Sequence, residues 1–402
     1  MEVPSCYQTI NACLRVSRAR LALFVLSISV LPVGASLAHA QETTDAEAKR
    51  PDVELTLGGT LQPRFSHGRL DSMDPGPDRE RTGFGLRRAR LRATATLAER
   101  AGAYFQLGAA GASVQLLDAE VFFDVTDALR LRAGRFTVAQ PRAFQLTSHK
   151  QIDLTVRAAI ARRWGDGALG NAGRDFGLEA FYETNRFTAR AALHNGNGSW
   201  DRALGNYRED EVGDPTGGLH TRGVAVSAYG AWRPAALPGV EAGGYAGYNG
   251  ARNRATLPPG GDASPLEDAT RPYAGYSGHL YWGPRPGSQP VRLKADLIGT
   301  RYGALSGEGT GDFNQHALGA SLLGAVGLFD RSAELLAHAE RYDPRLDSDG
   351  DATDYLSAGA SLSLSALRGR PYERQRLTLS YATRLDDERN PHLAVLQAQI
   401  VF

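Results

Sequence analysis

The chain has 402 residues, a formal net charge of +1 and 42% hydrophobic residues. That length allows one large β domain or two to three ordinary ones, and the near-zero charge gives no electrostatic case for a nucleic-acid partner. Beyond residue 40 there is no run of about 18 apolar residues, which excludes helical membrane spans.

The first element in chain order is a targeting segment. Arg15, Arg18 and Arg20 precede the apolar run Leu21–Ala35, and Ala38-His39-Ala40 fits a small-x-small cleavage site. Residues 1–40 are therefore expected to be a signal peptide, with Gln41 as the mature start. Both cysteines, Cys6 and Cys13, fall inside it, so the mature chain is expected to carry no thiol. A small exported fold would use disulfides as staples; a closed barrel is held by its hydrogen-bonded ring instead. Residues 41–52 are polar and read as a flexible periplasmic leader.

From residue 53 onward, segments of alternating polarity recur to the end of the chain. The pattern predicts strands over Val53–Ser66, Phe84–Leu97, Ala101–Gly111, Gln115–Thr126, Leu129–Phe136, Arg174–Glu183, Arg186–Asn195 and Thr221–Trp232. It continues over Val240–Asn249, Arg271–Trp282, Val291–Gly303, Phe313–Phe329, Arg331–Tyr342, Asp354–Leu367, Glu373–Leu385 and Pro391–Phe402. The connections sort by length. Those after the even-numbered segments are mostly tight, and those after the odd-numbered ones are often long and polar. This is the pattern of an antiparallel transmembrane β-barrel of about sixteen strands, with tight turns on one rim and larger loops on the other.

Each strand offers two faces, because successive side chains point to opposite sides. Leu117, Ala119, Val121, Phe123 and Val125 oppose Asp118, Glu120 and Asp124; Val291, Leu293, Ala295 and Leu297 oppose Arg292, Lys294 and Asp296. A barrel this wide cannot fill its interior with side chains, so the polar face is expected to line water and the apolar face to meet lipid. The last strand ends on the aromatic Phe402 on its apolar face.

The second predicted strand carries Arg88, Arg90 and Arg92 on one face and Ala89, Leu91 and Ala93 on the other. Arginines two apart are spaced about 6.6–7 Å. Each neighbouring pair repels by about 0.6 kcal/mol in water and about 2.4 kcal/mol at an effective dielectric of about 20. That is tolerable in a wet lumen and costly against lipid. Arg130 and Arg132 continue the theme on the fifth strand. Asp118, Glu120 and Asp124 on the fourth are expected within reach of the arginine ladder as counter-charges. Two roles stand side by side: a cationic track for anions, or a brace that holds the wall.

Four blocks resemble the phosphate-selective porin O and P family: Phe84–Leu97, Val114–Phe136, the region Gln145–Glu183 with its Arg-Asp-x-Gly start at Arg174, and the ending Leu396–Phe402. The N-terminal third matches best. The resemblance implies a sixteen-stranded, trimeric diffusion channel, a constriction loop over 137–173, and Lys150 and Arg157 as pore-narrowing residues. Departures from the family include Thr137-Val138-Ala139-Gln140-Pro141 after the fifth strand, Val156 before the loop arginine, and a lysine complement of only Lys49, Lys150 and Lys294. The resemblance thus speaks for a channel more firmly than for phosphate.

No enzyme signature is found: there is no H-x-x-x-H pair and no G-x-S-x-G, and Asp347–Asp351 lacks the spaced glutamate of a calcium loop. No cofactor or metal is expected. The expected partners are outer-membrane lipid, small anionic solutes and further copies of the chain as a homotrimer. The expectation is a bacterial outer-membrane porin for passive diffusion that prefers anions, phosphate or related oxyanions. The alternatives are a general, non-selective porin and a structural barrel without conductance.

Overall fold

The computed structural model describes residues 53–69, 80–97, 100–110, 113–168, 173–196, 224–249, 273–302, 315–346, 351–385 and 391–402. The expected signal peptide and leader lie outside the described residues. The strands are β1 (Val53–Gly68), β2 (Arg81–Leu97), β3 (Ala101–Ala110), β4 (Ser113–Asp124), β5 (Leu129–Thr137), β6 (Arg174–Glu183), β7 (Phe187–His194) and β8 (Ala225–Trp232). They continue with β9 (Val240–Asn249), β10 (Tyr273–Trp282), β11 (Val291–Tyr302), β12 (Gln315–Leu328), β13 (Ala333–Asp343), β14 (Thr353–Ser363), β15 (Gln375–Arg384) and β16 (His392–Val401). Each pairs antiparallel with its sequence neighbours. β1 closes on β16, with Thr60 opposite Val401 and Gly68 opposite Leu393, so the sheet is a closed barrel.

The two faces separate as the alternation requires. Val121 is 59% exposed on the outside, whereas Asp118 on the other face is 4% exposed. Leu178, Leu280, Leu293, Leu322, Leu335, Leu379 and Ile400 are likewise exposed, forming an apolar belt around the barrel. The inner face carries Thr60, Gln62, Arg88, Gln106, Glu241, Arg292 and Gln397, all buried. An exposed apolar belt over a polar interior fits lipid outside and water inside. No helix among the described residues is long and apolar enough to cross a membrane; the strands do so, and the barrel sits in the outer membrane.

Ring closure is reinforced by the chain end. Gly59 and Phe402 exchange both backbone hydrogen bonds, at 2.8 and 3.2 Å. The Phe402 ring covers Gly59 so closely that a Cβ there would lie 2.3 Å from it. Glycine here lets the Phe402 ring lie directly on the strand; a side chain would have to displace it.

Two bulges revise the simple alternation. Arg87 is an extra residue where Gln62–Pro63 faces Arg88 and Leu86. Leu117 is an extra residue where Gln106–Leu107 faces Asp118 and Leu116. Leu117 was expected on the outer face; instead its side chain lies over Gly108, where a Cβ would meet Leu117 Cδ1 at 2.5 Å. A bulge places two residues against one, and it is Leu116 that pairs with the exposed Leu107.

Residues 138–168 leave the barrel wall and fold inward. They hold one wide helical turn (Arg142–Leu146) and a helix, α1 (Ala159–Ala168), where the sequence had suggested only a loop. Phe136, Phe144, Ile160, Ala161 and Trp164 form a fully enclosed apolar core with Tyr229, Tyr245 and Tyr273 of the inner wall. The Trp164 ring stands edge-on to Phe144 and Tyr245, with centroids 5.7 and 5.4 Å apart.

Candidate functional site: the cationic lumen

The inserted segment is fastened to the wall opposite the strands from which it springs. Asp153 Oδ2 accepts from Lys294 Nζ at 2.7 Å, and its other oxygen lies 2.8 Å from Arg292 Nη1. Arg292 also makes a two-pronged pair with Glu334, both distances 2.8 Å. Glu340 accepts from the Ile160 amide at 3.1 Å, and Thr155 bonds Ser380 at 2.6 Å. Arg376 donates to the Ile152 carbonyl at 2.7 Å, and Gln399 to the Lys150 carbonyl at 3.1 Å. Arg142 reaches Glu241 on β9 at 2.9 Å. With the segment held against β9–β16, the open space lies mainly along β2–β9.

That space is a cavity of about 660 Å³. Nine cationic side chains line it (Arg90, Arg92, Arg132, Arg142, Lys150, Arg174, Arg190, Arg233, Arg285) against four carboxylates (Asp118, Glu120, Glu183, Glu241). The imbalance matters because most carboxylates are already engaged. Asp118 takes Arg174 through two bonds of 2.8 and 3.0 Å and Gln106 at 2.5 Å. Glu120 takes Arg132 at 2.9 Å. Glu179, buried behind, takes Arg132 at 2.7 Å and Arg190 at 3.0 Å. Glu241 holds Arg142 and Arg233, each at 2.9 Å.

The arginine ladder is not paired to the acidic strand, as the sequence had suggested. Arg88 is buried and donates to Gln62 Oε1 at 3.1 Å. Arg90 donates to His149 Nδ1 at 2.9 Å. Arg is only a donor, so Nδ1 must be the bare nitrogen, and the ring proton sits on Nε2, 3.1 Å from Thr60 Oγ1. Arg92 lies beside Gly58, where a Cβ would come within 2.8 Å of its Nε. Among the described residues Arg90, Arg92, Lys150 and Arg285 line the cavity without a carboxylate partner. The acidic strand pairs instead with β5 and β6: Asp124 with Arg130 at 2.6 and 2.9 Å near the tight-turn rim, and the others as above. Arg130 and Arg132 also stack over Phe122 and Phe136, 4.1 and 4.2 Å from the ring centres.

The two loop residues singled out by resemblance separate. Lys150 is half-buried and faces the cavity; burial, then repulsion from Arg92, holds its ammonium below the ordinary lysine value. Arg157 is buried within the segment, donating to the Phe144 carbonyl and to Gln145 Oε1 at 3.3 Å. It ties the segment to itself rather than to a wall carboxylate. Burial, followed by repulsion from Arg90, Arg88, Lys150 and Arg157, pushes the His149 imidazole far below its usual range. His149 therefore stays neutral. Sequence reasoning did not name Arg174, Glu179, Arg190 and Glu241 as site residues; the signals were their inward positions on their strands and, for Arg174, the Arg-Asp-x-Gly block.

No protein-family model and no curated protein matches the chain. Solved structures match in fold. A loop-deletion form of OmpT, an outer membrane protein of Vibrio cholerae, superposes with a TM-score of 0.57 at 11% identity, over 87% of this chain and 99% of that one. The trimer form of in-vitro folded OmpT matches with a TM-score of 0.57 at 10% identity, over 87% and 99%. The outer membrane channel DcaP of Acinetobacter baumannii matches with a TM-score of 0.55 at 11% identity, over 87% and 97%. At such identities the likeness is one of architecture, and this chain shares the sixteen-stranded barrel fold of outer-membrane proteins, a channel among them.

Proposed function

We propose that the barrel is a porin for passive diffusion of small solutes, with a preference for anions. The observation that carries this reading is the group Arg90, Arg92 and Lys150, which faces the cavity without carboxylate partners while the carboxylates Asp118, Glu120 and Glu241 are spent on other arginines. A positive wall raises the local concentration of anions and supplies guanidinium forks for carboxylate or phosphoryl oxygens. Contacts of this kind are weak enough to release what they attract, as conduction requires. The resemblance to phosphate-selective porins makes phosphate and related oxyanions the first solutes to try, and the trimer form of OmpT supports a trimeric assembly.

In this reading Arg90, Arg92 and Lys150 guide the solute, whereas Arg130, Arg132 and Arg157 brace the wall and the inserted segment. Arg88 supports the ladder through Gln62, and Asp118, Glu120 and Asp124 are the braces' counter-charges. Reversal potentials in planar bilayers under a potassium chloride gradient test it. Anion preference is expected. A cation-selective pore contradicts the preference, and absence of channels contradicts the porin reading and leaves a structural barrel.

A further inference from the structure

The tight-turn rim carries a surface that pore chemistry does not use. Phe329, between β12 and β13, is 76% exposed, and Leu367, between β14 and β15, is 58% exposed. Leu364 is exposed beside it. The two turns are neighbours, stitched by a 2.7 Å bond from the Ser363 amide to the Ser332 carbonyl. Arg331, Arg368, Arg370 and Arg374 stand exposed on the same two turns. Among the described residues none of the four makes a salt bridge; Arg368 reaches only Gln375 Oε1, at 3.5 Å. The carboxylates in the same stretch are Asp330 and Glu373, two against four guanidinium groups.

The turn that presents Phe329 is an unusual one. Phe329, Asp330 and Arg331 all have positive φ, at 48°, 56° and 65°, and none is glycine. Ser332 closes the turn on the Phe329 carbonyl through both its amide, at 3.1 Å, and its hydroxyl, at 2.5 Å. The result is a bulky ring held outward just past Leu328, the last exposed apolar residue of β12. The turns thus place apolar pegs at the end of the lipid belt with cations beside them. Aromatic and arginine side chains sit together in this way at the level of lipid headgroups.

We propose that this patch is a binding site for the phosphoryl headgroups of anionic phospholipids in the leaflet at the tight-turn rim. Phe329, Leu364 and Leu367 enter the acyl boundary. Arg331, Arg368, Arg370 and Arg374 donate to phosphate oxygens, for which guanidinium forks are suited. Charge and depth together favour a lipid over a soluble polyanion, because a soluble partner would leave the apolar pegs without a function.

The test uses the full-length barrel folded in non-ionic detergent micelles, with native mass spectrometry of bound lipid. Phosphatidylglycerol is expected to be retained over phosphatidylcholine. The variant Arg331→Gln/Arg368→Gln/Arg370→Gln/Arg374→Gln is expected to lose at least about tenfold in retention, since one to two lost cation–headgroup contacts already amount to that. Arg341→Gln/Arg345→Gln, on the other rim, is expected to leave it unchanged. Circular dichroism confirms folding, and the double variant Arg370→Gln/Arg374→Gln gives a smaller loss if the quadruple one does not fold. Phe329→Ser/Leu367→Ser is expected to weaken retention while sparing the charge. Equal retention of both lipids, or by both arginine variants, overturns the proposal. So does displacement of phosphatidylglycerol by millimolar inorganic phosphate together with no effect of Phe329→Ser/Leu367→Ser, which assigns the arginines to free phosphate.

Discussion

Lys294 Nζ and Asp153 Oδ2 are 2.7 Å apart, joining the inserted segment to β11 inside the barrel. Asp153 also faces Arg292, and Arg292 is shared with Glu334. Asp153→Asn therefore removes one charge from a buried chain of four and leaves Lys294 with no carboxylate. Breaking a buried pair this way costs about 3–5 kcal/mol, and the lower end is expected because Glu334 still serves Arg292. Urea unfolding in micelles reads the cost directly. Single-channel records of the same variant are expected to show added flicker from a loosened segment; a trace and a midpoint both like the parent's would assign the anchor elsewhere.

The same anchor sets a pH expectation. Burial alone would raise the Asp153 carboxyl, but Lys294 and then Arg292 outweigh it and hold the group well below the usual carboxylate range. A depressed carboxylate contributes its full stability above the unfolded value of about 3.9 and loses it progressively as pH falls from there through the lower folded value. Unit conductance recorded from pH 7 down to about pH 4.5 should thus show no step attributable to release of Asp153.

His149 acts in the same direction, in a higher pH window. It is neutral in the folded protein but takes a proton in the unfolded chain near pH 6.5. Its contribution to folding is therefore steady above about pH 6.5 and declines below it, by up to about 1.4 kcal/mol per pH unit. Replacing it by glutamine should flatten the acid limb of a stability–pH curve measured between pH 7.5 and 5. An unchanged slope would mean that the imidazole is solvated in the folded state.

Under the proposed porin function, selectivity is expected to separate the arginines that face the cavity from those that brace it. Arg92→Gln/Lys150→Gln should lower the anion-over-cation permeability ratio several-fold, roughly the effect of removing two unpaired charges from a pore wall. Arg130→Gln should leave the ratio nearly as it was, since Arg130 is neutralised by Asp124 at the rim. The ratios come from reversal potentials under one salt gradient. Equal effects of the two variants would merge the classes.

The inserted segment also rests on its aromatic core. Trp164→Ala removes the ring that contacts Phe144 and Tyr245, at a cost of about 3–5 kcal/mol for a buried aromatic. The barrel hydrogen bonds do not depend on it. Trypsin should then cut near Arg157, Arg162 and Arg163 in the variant while the barrel itself resists, and a resistant segment would show that its polar anchors suffice.

Strand positions were legible because a half-wet wall imposes period two, and the ends of β6 and β9 agree with the sequence to the residue. Register was not legible. Local alternation says which way Asp118 points but not that Arg174, 56 residues on, will meet it. Leu117 shows the same limit: one extra residue turns a side chain over, and nothing in the neighbouring pattern marks it. The helix α1 was hidden because its apolar residues are satisfied by Tyr229, Tyr245 and Tyr273 on distant strands. Such tertiary cover lets a ten-residue helix form that is too short to be stable alone and has no acidic residue in its first turn or basic residue in its last.

Gly59 and Phe402 sit together where the first strand meets the last. Until the final residues are in place, β1 has a neighbour on one side only, and so does the growing end of the sheet. Two rows of unsatisfied amides and carbonyls are then open at once, in a medium that cannot solvate them. Loss of the last ten residues consequently removes more than one strand: it converts a seamless cylinder into a slit ribbon with two adhesive margins. The terminal aromatic is the clasp of the whole ring, and the chain has no stable half-built form within the hydrocarbon.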